Sequence, residues 1–278
     1  MAFITMSLLS ESLKRTVPVN VILPADKLVF PGQPKREDKP FKTLYLLHGI
    51  LGNYTDWVNG TRIARWAEEN NLAVVMPSGD NAFYVDQPWA SNMYGEFIGK
   101  ELVELTRKIF PLSHDREDTF IGGLSMGGFG ALCNGLKYSD TFGYVVALSG
   151  AYVMESFPTR TNDTPMFMER RDYAESMFGD LEEALLSDKN PKVAAANNVA
   201  AGKVNPKIYM ACGRDDSLLD ANKDMYEDLK AKGLDVQLVI DDGNHEWDFW
   251  DKYLKIAIDE FLPTEIAENG INSGNIGK

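Results

Sequence analysis

The sequence predicts a single α/β domain in which helices flank a central, mainly parallel β-sheet. Apolar runs rich in β-branched residues alternate along the chain with stretches of helical period, and this alternation is typical of parallel sheets. The runs are almost continuously apolar, as in strands that are buried on both faces. With 278 residues, 44% of them hydrophobic, the chain is long enough to form one sizeable core.

The predicted elements follow from the period of the apolar residues. The earliest apolar runs, near residues 3 to 24, favour an antiparallel edge of the sheet. The predicted strands are Val19–Leu23, Thr43–His48, Leu72–Met76, Thr119–Gly123, Tyr144–Leu148, Lys207–Ala211 and Val236–Ile240. Between them, apolar residues recur at helical spacing. The predicted helices are Thr61–Asn70, Ile98–Ile109, Met126–Leu136, Ala221–Lys232 and Trp250–Phe261.

One segment interrupts the alternation of strands and helices. Residues 151–204 contain no clear buried strand, are rich in Met, Phe and charged residues, and are too many for a plain connection in a compact domain. We therefore expect a small helical cap insertion within a single domain of residues 1–264. Residues 265–278 are rich in Gly and Asn, and we expect them to form a flexible tail.

Charge and cysteine content exclude several classes of protein. The chain has 28 Lys and Arg against 41 Asp and Glu, and its net charge of -13 repels nucleic acids and anionic membranes. Cys133 and Cys212 are too few for a disulfide framework or a four-ligand zinc site. No phosphate-binding loop, dinucleotide-binding or metalloprotease motif occurs, so the sequence implies no cofactor and no metal. The first apolar run is shorter than a membrane span and lacks signal-peptide features, so we expect a cytoplasmic protein.

The strongest functional signal is the pattern GLSMG at residues 123–127, between a predicted strand and a predicted helix. A nucleophilic serine on a sharp strand-to-helix turn has this G-x-S-x-G pattern, because glycines relieve the crowding around the turn. Small residues around a serine are also common in ordinary turns, but here both flanking elements are predicted. Ser125 is therefore the candidate nucleophile, at the carboxyl end of the sheet.

A serine nucleophile requires a base, because a hydroxyl at its ordinary pKa is a poor nucleophile. Of the three histidines, His245 follows the strand Val236–Ile240 through a short polar loop, at the carboxyl end of the sheet where ligand-facing loops lie. A lone loop histidine is more often a solvated or capping residue, yet position and scarcity favour His245 as the base. His48 is interpreted as a loop-shaping residue.

An acid that orients the base is expected between Ser125 and His245 in chain order, as in other enzymes with this serine turn. Asp215 and Asp216 closely follow the strand that begins at Lys207. Either carboxylate could hold the imidazole in the required tautomer. The residues alone leave both alternatives open.

Two backbone N–H groups are expected to stabilise the oxyanion that forms when a serine attacks an ester carbonyl. Met126 supplies one of them at a helix N-terminus, where the helix dipole also favours negative charge. The second is expected from the loop that follows the strand Thr43–His48. Ile50 is the first choice there and Leu51 the second.

Several segments together resemble the tributyrin esterase branch of the esterase D family, whose wider circle includes S-formylglutathione hydrolases, feruloyl esterases and mycolyltransferases. The segments are LLHGILGNYTDW, VVMPSGDNAFYVD, FIGGLSMGGFGAL, ACGRDDSLLDAN and DGNHEWDFWDKYL. The resemblance extends over nearly the whole chain, from about Ala2 to Leu262.

This resemblance implies an α/β-hydrolase fold, no metal, and a Ser-His-Asp catalytic triad that includes Ser125. It implies that the last acid of the segment GRDD, Asp216, is the orienting acid, and that the histidine before EWDFW, His245, is the base. The chain departs from the family pattern in Asp215, a second adjacent acid. Family members are expected to differ most in residues 151–204, so the substrate is the least determined property.

We therefore expect a serine carboxylesterase that hydrolyses short-chain acyl esters of small molecules through an acyl-enzyme. Its alternatives are a thioesterase similar to S-formylglutathione hydrolase, and an acetyl or feruloyl esterase acting on plant polysaccharide fragments. A binding module with the same fold is disfavoured, because every catalytic role has a candidate residue. Homo-oligomers are common among soluble enzymes, but the sequence identifies no surface for one.

The cap is expected to set the acyl size. Its apolar side chains, among them Phe167 and Met168, alternate with charged residues, so the segment can present one apolar face to a pocket. For any single side chain, a place in the cap's own small core is the more frequent role.

Overall fold

The computed structural model describes residues 1–27, 31–32 and 36–266. Its strands are β1 (Ala2–Ser10), β2 (Arg15–Leu23), β3 (Lys42–Leu47), β4 (Leu72–Pro77), β5 (Asp86–Gln87), β6 (Asn92–Met93), β7 (Thr119–Leu124), β8 (Tyr144–Leu148), β9 (Lys207–Gly213) and β10 (Val236–Asp241). One eight-stranded sheet has the order β1-β2-β4-β3-β7-β8-β9-β10, and β5 pairs with β6 in a separate ribbon. The six strands from β4 to β10 in that order are parallel to one another. At the edge of the sheet, β2 pairs antiparallel with β4, and β1 pairs antiparallel with β2.

The α-helices lie mostly in the connections between the parallel strands. They are α1 (Asp56–Gly60), α2 (Ile63–Glu69), α3 (Tyr94–Glu96), α4 (Leu102–Ile109), α5 (Met126–Lys137), α6 (Arg171–Phe178), α7 (Leu181–Leu185), α8 (Pro191–Ala200), α9 (Leu219–Ala231) and α10 (Trp247–Ile256). A π-helical turn at Phe97–Glu101 joins α3 to α4, and another at Ala257–Phe261 extends α10.

The two larger hydrophobic cores lie on opposite faces of the sheet, because strand side chains alternate between these faces. In β3, Leu44 and Leu46 pack with apolar residues of α1, α2 and α10. Tyr45 and Leu47 point to the opposite face and belong to the core that contains α4, α5, α8 and α9. The predicted fold class, a mainly parallel sheet with helices on both faces and an antiparallel edge, is confirmed.

The elements differ from the sequence predictions mainly at their ends. The last helix begins at Trp247, not at Trp250, so it starts two residues after His245. Residues 151–204 contain α6, α7 and α8, and α8 packs against α5 and α9 as a connection beside the sheet. The predicted tail, residues 265–278, lies outside the described residues from residue 267 onward. Among the residues that the structure describes, no helix combines the length and apolar character of a membrane span.

The topology brings four loops to one edge of the sheet. Strands β3, β7, β9 and β10 are mutually parallel, so the residues that follow them all emerge at the carboxyl edge. Ile50, Ser125, Asp216 and His245 lie in these loops or directly after these strands.

Candidate active site

Ser125 occupies the sharp turn between β7 and α5. Its backbone has φ +54° and ψ -117°, a strained conformation for a residue with a side chain, and its N–H donates to the carbonyl oxygen of Leu148 at 2.9 Å. A Cβ on Gly127 would lie 2.3 Å from the carbonyl oxygen of Leu47, and one on Gly123 would lie 2.4 Å from that of Gly127. The two glycines of the GLSMG pattern are therefore required by close backbone packing around the serine.

A continuous line of hydrogen bonds joins Ser125, His245 and Asp216. Ser125 Oγ lies 3.0 Å from His245 Nε2, and His245 Nδ1 lies 2.9 Å from Asp216 Oδ2. The ring of Trp250 packs edge-on against the imidazole, with centroids 4.9 Å apart. Because the carboxylate accepts from Nδ1–H, the lone pair of Nε2 faces the serine hydroxyl. This geometry allows the histidine to take the hydroxyl proton.

The buried carboxylate of Asp216 is held by several donors. Its Oδ1 accepts from the backbone N–H of Leu218 at 2.9 Å. Burial alone raises the pKa of Asp216, but hydrogen bonds from His245, Leu218 and Ser149 together hold this pKa below its ordinary value. Asp215 is exposed, and its N–H donates to a loop carbonyl oxygen. The structure thus brings Asp216, and not Asp215, to the imidazole.

Ser149 and Cys212 lie next to Asp216, and the sequence did not predict either of them as a site residue. Ser149 is fully buried directly after β8, has φ +47°, and accepts a hydrogen bond from Trp250 Nε1–H at 3.0 Å. Burial and then the neighbouring Asp216 raise the pKa of the Cys212 thiol to about 12, so the thiol stays protonated. Ser149 follows its strand at the carboxyl edge as Ser125 does, which is the one sequence signal that could have identified it.

The backbone N–H groups of the two expected oxyanion donors are available to bind a ligand. Within residues 1–27, 31–32 and 36–266, the backbone N–H groups of Ile50 and Met126 have no hydrogen-bond partner. Met126 is the first residue of α5, where the helix dipole is positive. The N–H of Leu51, by contrast, donates to Oδ1 of Asn81 at 2.7 Å. The loop therefore leaves Ile50, and not Leu51, free to donate to a bound oxygen.

The buried ring of His48 holds the loop that carries Ile50 through hydrogen bonds. Its Nδ1 donates to the carbonyl oxygen of Gly49 at 2.7 Å, and its Nε2 accepts from the N–H of Gly79 at 2.8 Å. Tyr84 Oη donates to the His48 carbonyl oxygen at 3.0 Å. Burial lowers the pKa of His48, which keeps the ring neutral. A Cβ on Gly49 would lie 3.6 Å from Ser125 Cβ, so the loop passes directly beside the serine.

Most apolar side chains between residues 151 and 204 lie in the core. Phe167 is 36% exposed and packs edge-on against Tyr173 with centroids 5.1 Å apart, and Met168 is half-buried. The buried aromatic and Met side chains of this segment are Tyr152, Met154, Phe157 and Phe178. These four side chains belong to the main core of the domain, whereas Phe167 lies at the surface.

A mainly parallel sheet with a strained serine turn and a histidine–carboxylate pair at its carboxyl edge defines a serine hydrolase of the α/β-hydrolase fold. The esterase family described as "Putative esterase" matches residues 10–259, and the chain belongs to this family. An acetyl esterase from Caldicellulosiruptor saccharolyticus is 42% identical over 259 residues, which are 93% of this chain and 97% of that relative.

Two solved structures from Staphylococcus aureus share the fold. The fluorophosphonate-binding serine hydrolase FphF has a TM-score of 0.79 at 31% identity, with 92% of this chain and 96% of that chain covered. The S-formylglutathione hydrolase FrmB has a TM-score of 0.77 at 31% identity, with 92% and 97% covered. The predicted family and the predicted class of enzyme, a carboxylic ester hydrolase, are confirmed.

Proposed function

We propose that the chain hydrolyses short-chain acyl esters through an acyl-enzyme on Ser125, with His245 as general base and Asp216 as the orienting acid. The hydrogen-bonded line from Ser125 Oγ through the imidazole to the buried carboxylate carries this proposal. The acetyl esterase relative, at 42% identity over nearly its full length, supports a small acyl group.

The geometry supports a two-stage reaction. Ser125 Oγ attacks the ester carbonyl carbon as its proton passes to His245 Nε2, and the N–H groups of Ile50 and Met126 bind the resulting oxyanion. Asp216 stabilises the imidazolium, which then gives its proton to the departing alcohol oxygen. Water attacks the acyl-enzyme in the same way, with its proton taken by His245, and collapse returns that proton to Ser125 and releases the carboxylic acid.

A thioesterase is the second candidate. The structural relative FrmB is an S-formylglutathione hydrolase, and a thioester would use the same serine, base and oxyanion donors. Rates on nitrophenyl acetate, S-formylglutathione and methyl ferulate, measured in parallel, separate an acetyl esterase, a thioesterase and a feruloyl esterase by their specificity constants.

We also propose a cap insertion beside the site, a cytoplasmic location and a small-molecule substrate. Residues 151–204 form a cap insertion in a single domain of residues 1–264. Part of this cap lies beside the loop that carries Ile50, because Tyr173 donates to the backbone oxygen of Asn81, whose side chain binds Leu51. A cytoplasmic location is supported by two buried, unpaired cysteines, which suit a reducing compartment. The substrate is a small-molecule ester, in keeping with a net charge that disfavours nucleic acids and anionic membranes.

Replacement of the nucleophile is the decisive experiment. Ser125→Ala is expected to leave a folded protein whose esterase rate falls by several orders of magnitude, because no other group can form the acyl-enzyme. Wild type should give a burst of one equivalent of nitrophenol and be labelled by a fluorophosphonate at Ser125 alone. Ser7→Ala, which changes an exposed serine of β1 at the far edge of the sheet, is the control and should retain full activity. Substantial residual activity in Ser125→Ala would exclude this serine.

A further inference from the structure

The segment that follows β4 supports the loop that carries Ile50. We call residues 78–84 the brace and residues 48–52 the oxyanion loop. The brace reaches His48 through the Gly79 N–H and the Tyr84 hydroxyl. A third contact lies nearer the proposed oxyanion donor, because the side chain of Asn81 binds the backbone of Leu51.

Asn81 uses its two oxygen atoms to join the oxyanion loop to the cap. Its Oδ1 accepts from the Leu51 N–H at 2.7 Å, and its backbone oxygen accepts from Tyr173 Oη, on α6, also at 2.7 Å. Leu51 has φ +68°, a conformation that costs energy for a residue with a side chain and persists only where neighbouring contacts hold it. The hydrogen bond from Leu51 to Asn81 is one such contact.

Tyr173 connects this pair of hydrogen bonds to the exposed part of the cap. Its ring packs edge-on against Phe167, with centroids 5.1 Å apart, and lies 6.4 Å from the ring of Phe83 in the brace. A side-chain path therefore runs from Phe167 through Tyr173 and Asn81 to Leu51. Ile50, the proposed oxyanion donor, is the adjacent residue.

We propose that Asn81 and Tyr173 are positioning residues that couple the cap to the oxyanion hole. Asn81 binds the Leu51 N–H and so fixes the backbone orientation in which the Ile50 N–H remains free for the oxyanion. Tyr173 fixes Asn81 in turn, so the position of α6 affects the donor geometry. This inference rests on the proposed acyl-enzyme mechanism at Ser125.

The expected effect lies in the transition state. An oxyanion exists only after the serine attacks, so a displaced donor weakens binding of the tetrahedral species more than binding of the ester. Loss of the Asn81 contact should therefore lower kcat and leave KM nearly unchanged. A role confined to stability would lower Tm without this change in kcat.

Two variants test the path at its two hydrogen bonds. Asn81→Ala is expected to lower kcat about 10- to 100-fold, the usual effect of slightly misplaced catalytic groups. Tyr173→Phe removes one oxygen and keeps the ring packing, and should lower kcat by a smaller factor. Tyr226→Phe removes the corresponding oxygen from a tyrosine of α9 and is the matched control, with unchanged kcat expected.

A boronic acid that forms a tetrahedral adduct with Ser125 supplies a readout independent of turnover. Its affinity should fall in Asn81→Ala by the same factor as kcat/KM. In the double variant with Tyr173→Phe, the two losses should be less than additive, because both act on one path. Additive losses would overturn the coupling.

The remaining outcomes distinguish a failure of this inference from a failure of the proposed function. A change in Asn81→Ala confined to KM would make Asn81 a substrate contact, and unchanged kcat and boronate affinity would show that it does not position the donor. Either result would overturn the inference. If Ser125→Ala is inactive in the same assay, the proposed function still holds. An active Ser125→Ala would instead overturn the proposed function on which the inference rests.

Discussion

At the scale of single residues, burial distinguishes two adjacent aspartates that the sequence leaves equivalent. Asp216 is 4% exposed and faces the imidazole, whereas Asp215 is exposed and its N–H is bound to the carbonyl oxygen of Gly243. A carboxylate inside the protein interacts with an imidazolium more strongly than one in water, because the surrounding dielectric is lower. The orienting role is therefore expected to belong to the buried member.

Substitution of each aspartate by asparagine tests this assignment. Asp216→Asn should lower kcat by a factor on the order of a thousand or more, because an amide favours the wrong imidazole tautomer. Asp215→Asn removes an equal charge one residue away and should change kcat little. The opposite pattern in steady-state kinetics would place the acid at Asp215.

The pH dependence of the rate tests the base. Only a neutral His245 ring can accept the Ser125 proton, so protonation of this ring removes the base. Hydrogen bonds hold the pKa of Asp216 below its ordinary value, so this carboxylate is ionised at neutral pH. The value of kcat/KM for nitrophenyl acetate should therefore rise with pH through one ionisation and then level off. A flat profile from acid to alkaline pH would argue against a histidine base.

The candidate residues could be predicted from sequence to different extents. Ser125 was predictable because its strained turn needs glycines at fixed neighbouring positions, and such a requirement is local. Asp216 needed the family resemblance, since no local pattern records which aspartate turns inward. Ser149 was not predicted because its partner Trp250 is 101 residues away, and such a contact exists only after the sheet has formed.

At the scale of elements, the strands were easier to predict than the cap. A strand buried on both faces is apolar at every position, so Tyr144–Leu148 has the same bounds in the prediction and in the structure. The cap has short helices such as α7, whose five residues make a periodic pattern too brief to recognise. Its apolar residues could not be sorted by sequence into core and surface, because both uses need the same residue types.

Truncation of the cap's exposed aromatic residue tests its role in acyl selection. If the cap limits acyl length, Phe167→Ala should shift the preferred acyl group from acetyl or butyryl towards longer chains, because it removes ring volume from the exposed side of the cap. Leu186→Ala, at an 81% exposed position after α7, is the control and should leave the preference unchanged. Specificity constants for nitrophenyl esters from acetyl to dodecanoyl give the measurement. An unchanged preference in Phe167→Ala, with or without lower stability, would contradict this role.

At the scale of the whole molecule, one topological rule explains why distant residues meet. Ser125 and His245 are 120 residues apart and lie 3.0 Å apart at their reactive atoms, because β7 and β10 belong to one parallel sheet and end at one edge. The order of the strands across the sheet is not a property of any single segment. The sequence could therefore predict that the candidates share an edge, but not their contacts.

The acid stability of the molecule depends on hydrogen-bonded carboxylates and on overall charge, which act in opposite directions. The net charge of -13 at pH 7 opposes compactness, so the first protonations on acidification relieve repulsion. Glu101 and Asp216 act differently, because their hydrogen bonds hold the pKa of each below its ordinary value in spite of burial. A carboxyl group with a lowered folded pKa stabilises the protein above its unfolded pKa, and this contribution is lost as the pH falls through the folded pKa.

We therefore expect the free energy of unfolding to change little between pH 7 and 5 and to fall steeply below about pH 4, where unfolded Asp and Glu take up protons. Glu101 accepts from Ser10 Oγ at 2.7 Å and from the backbone N–H groups of Glu11 and Ser12 at 2.6 and 3.1 Å, and so anchors the turn between β1 and β2. Glu101→Gln should lower stability at pH 7 and make the acid decline shallower, since the group no longer titrates. Glu104→Gln changes an exposed acid of α4 and should leave both unchanged. Urea unfolding at several pH values measures the effect, and an equally steep acid decline in Glu101→Gln would show that the anchored carboxylate does not contribute to it.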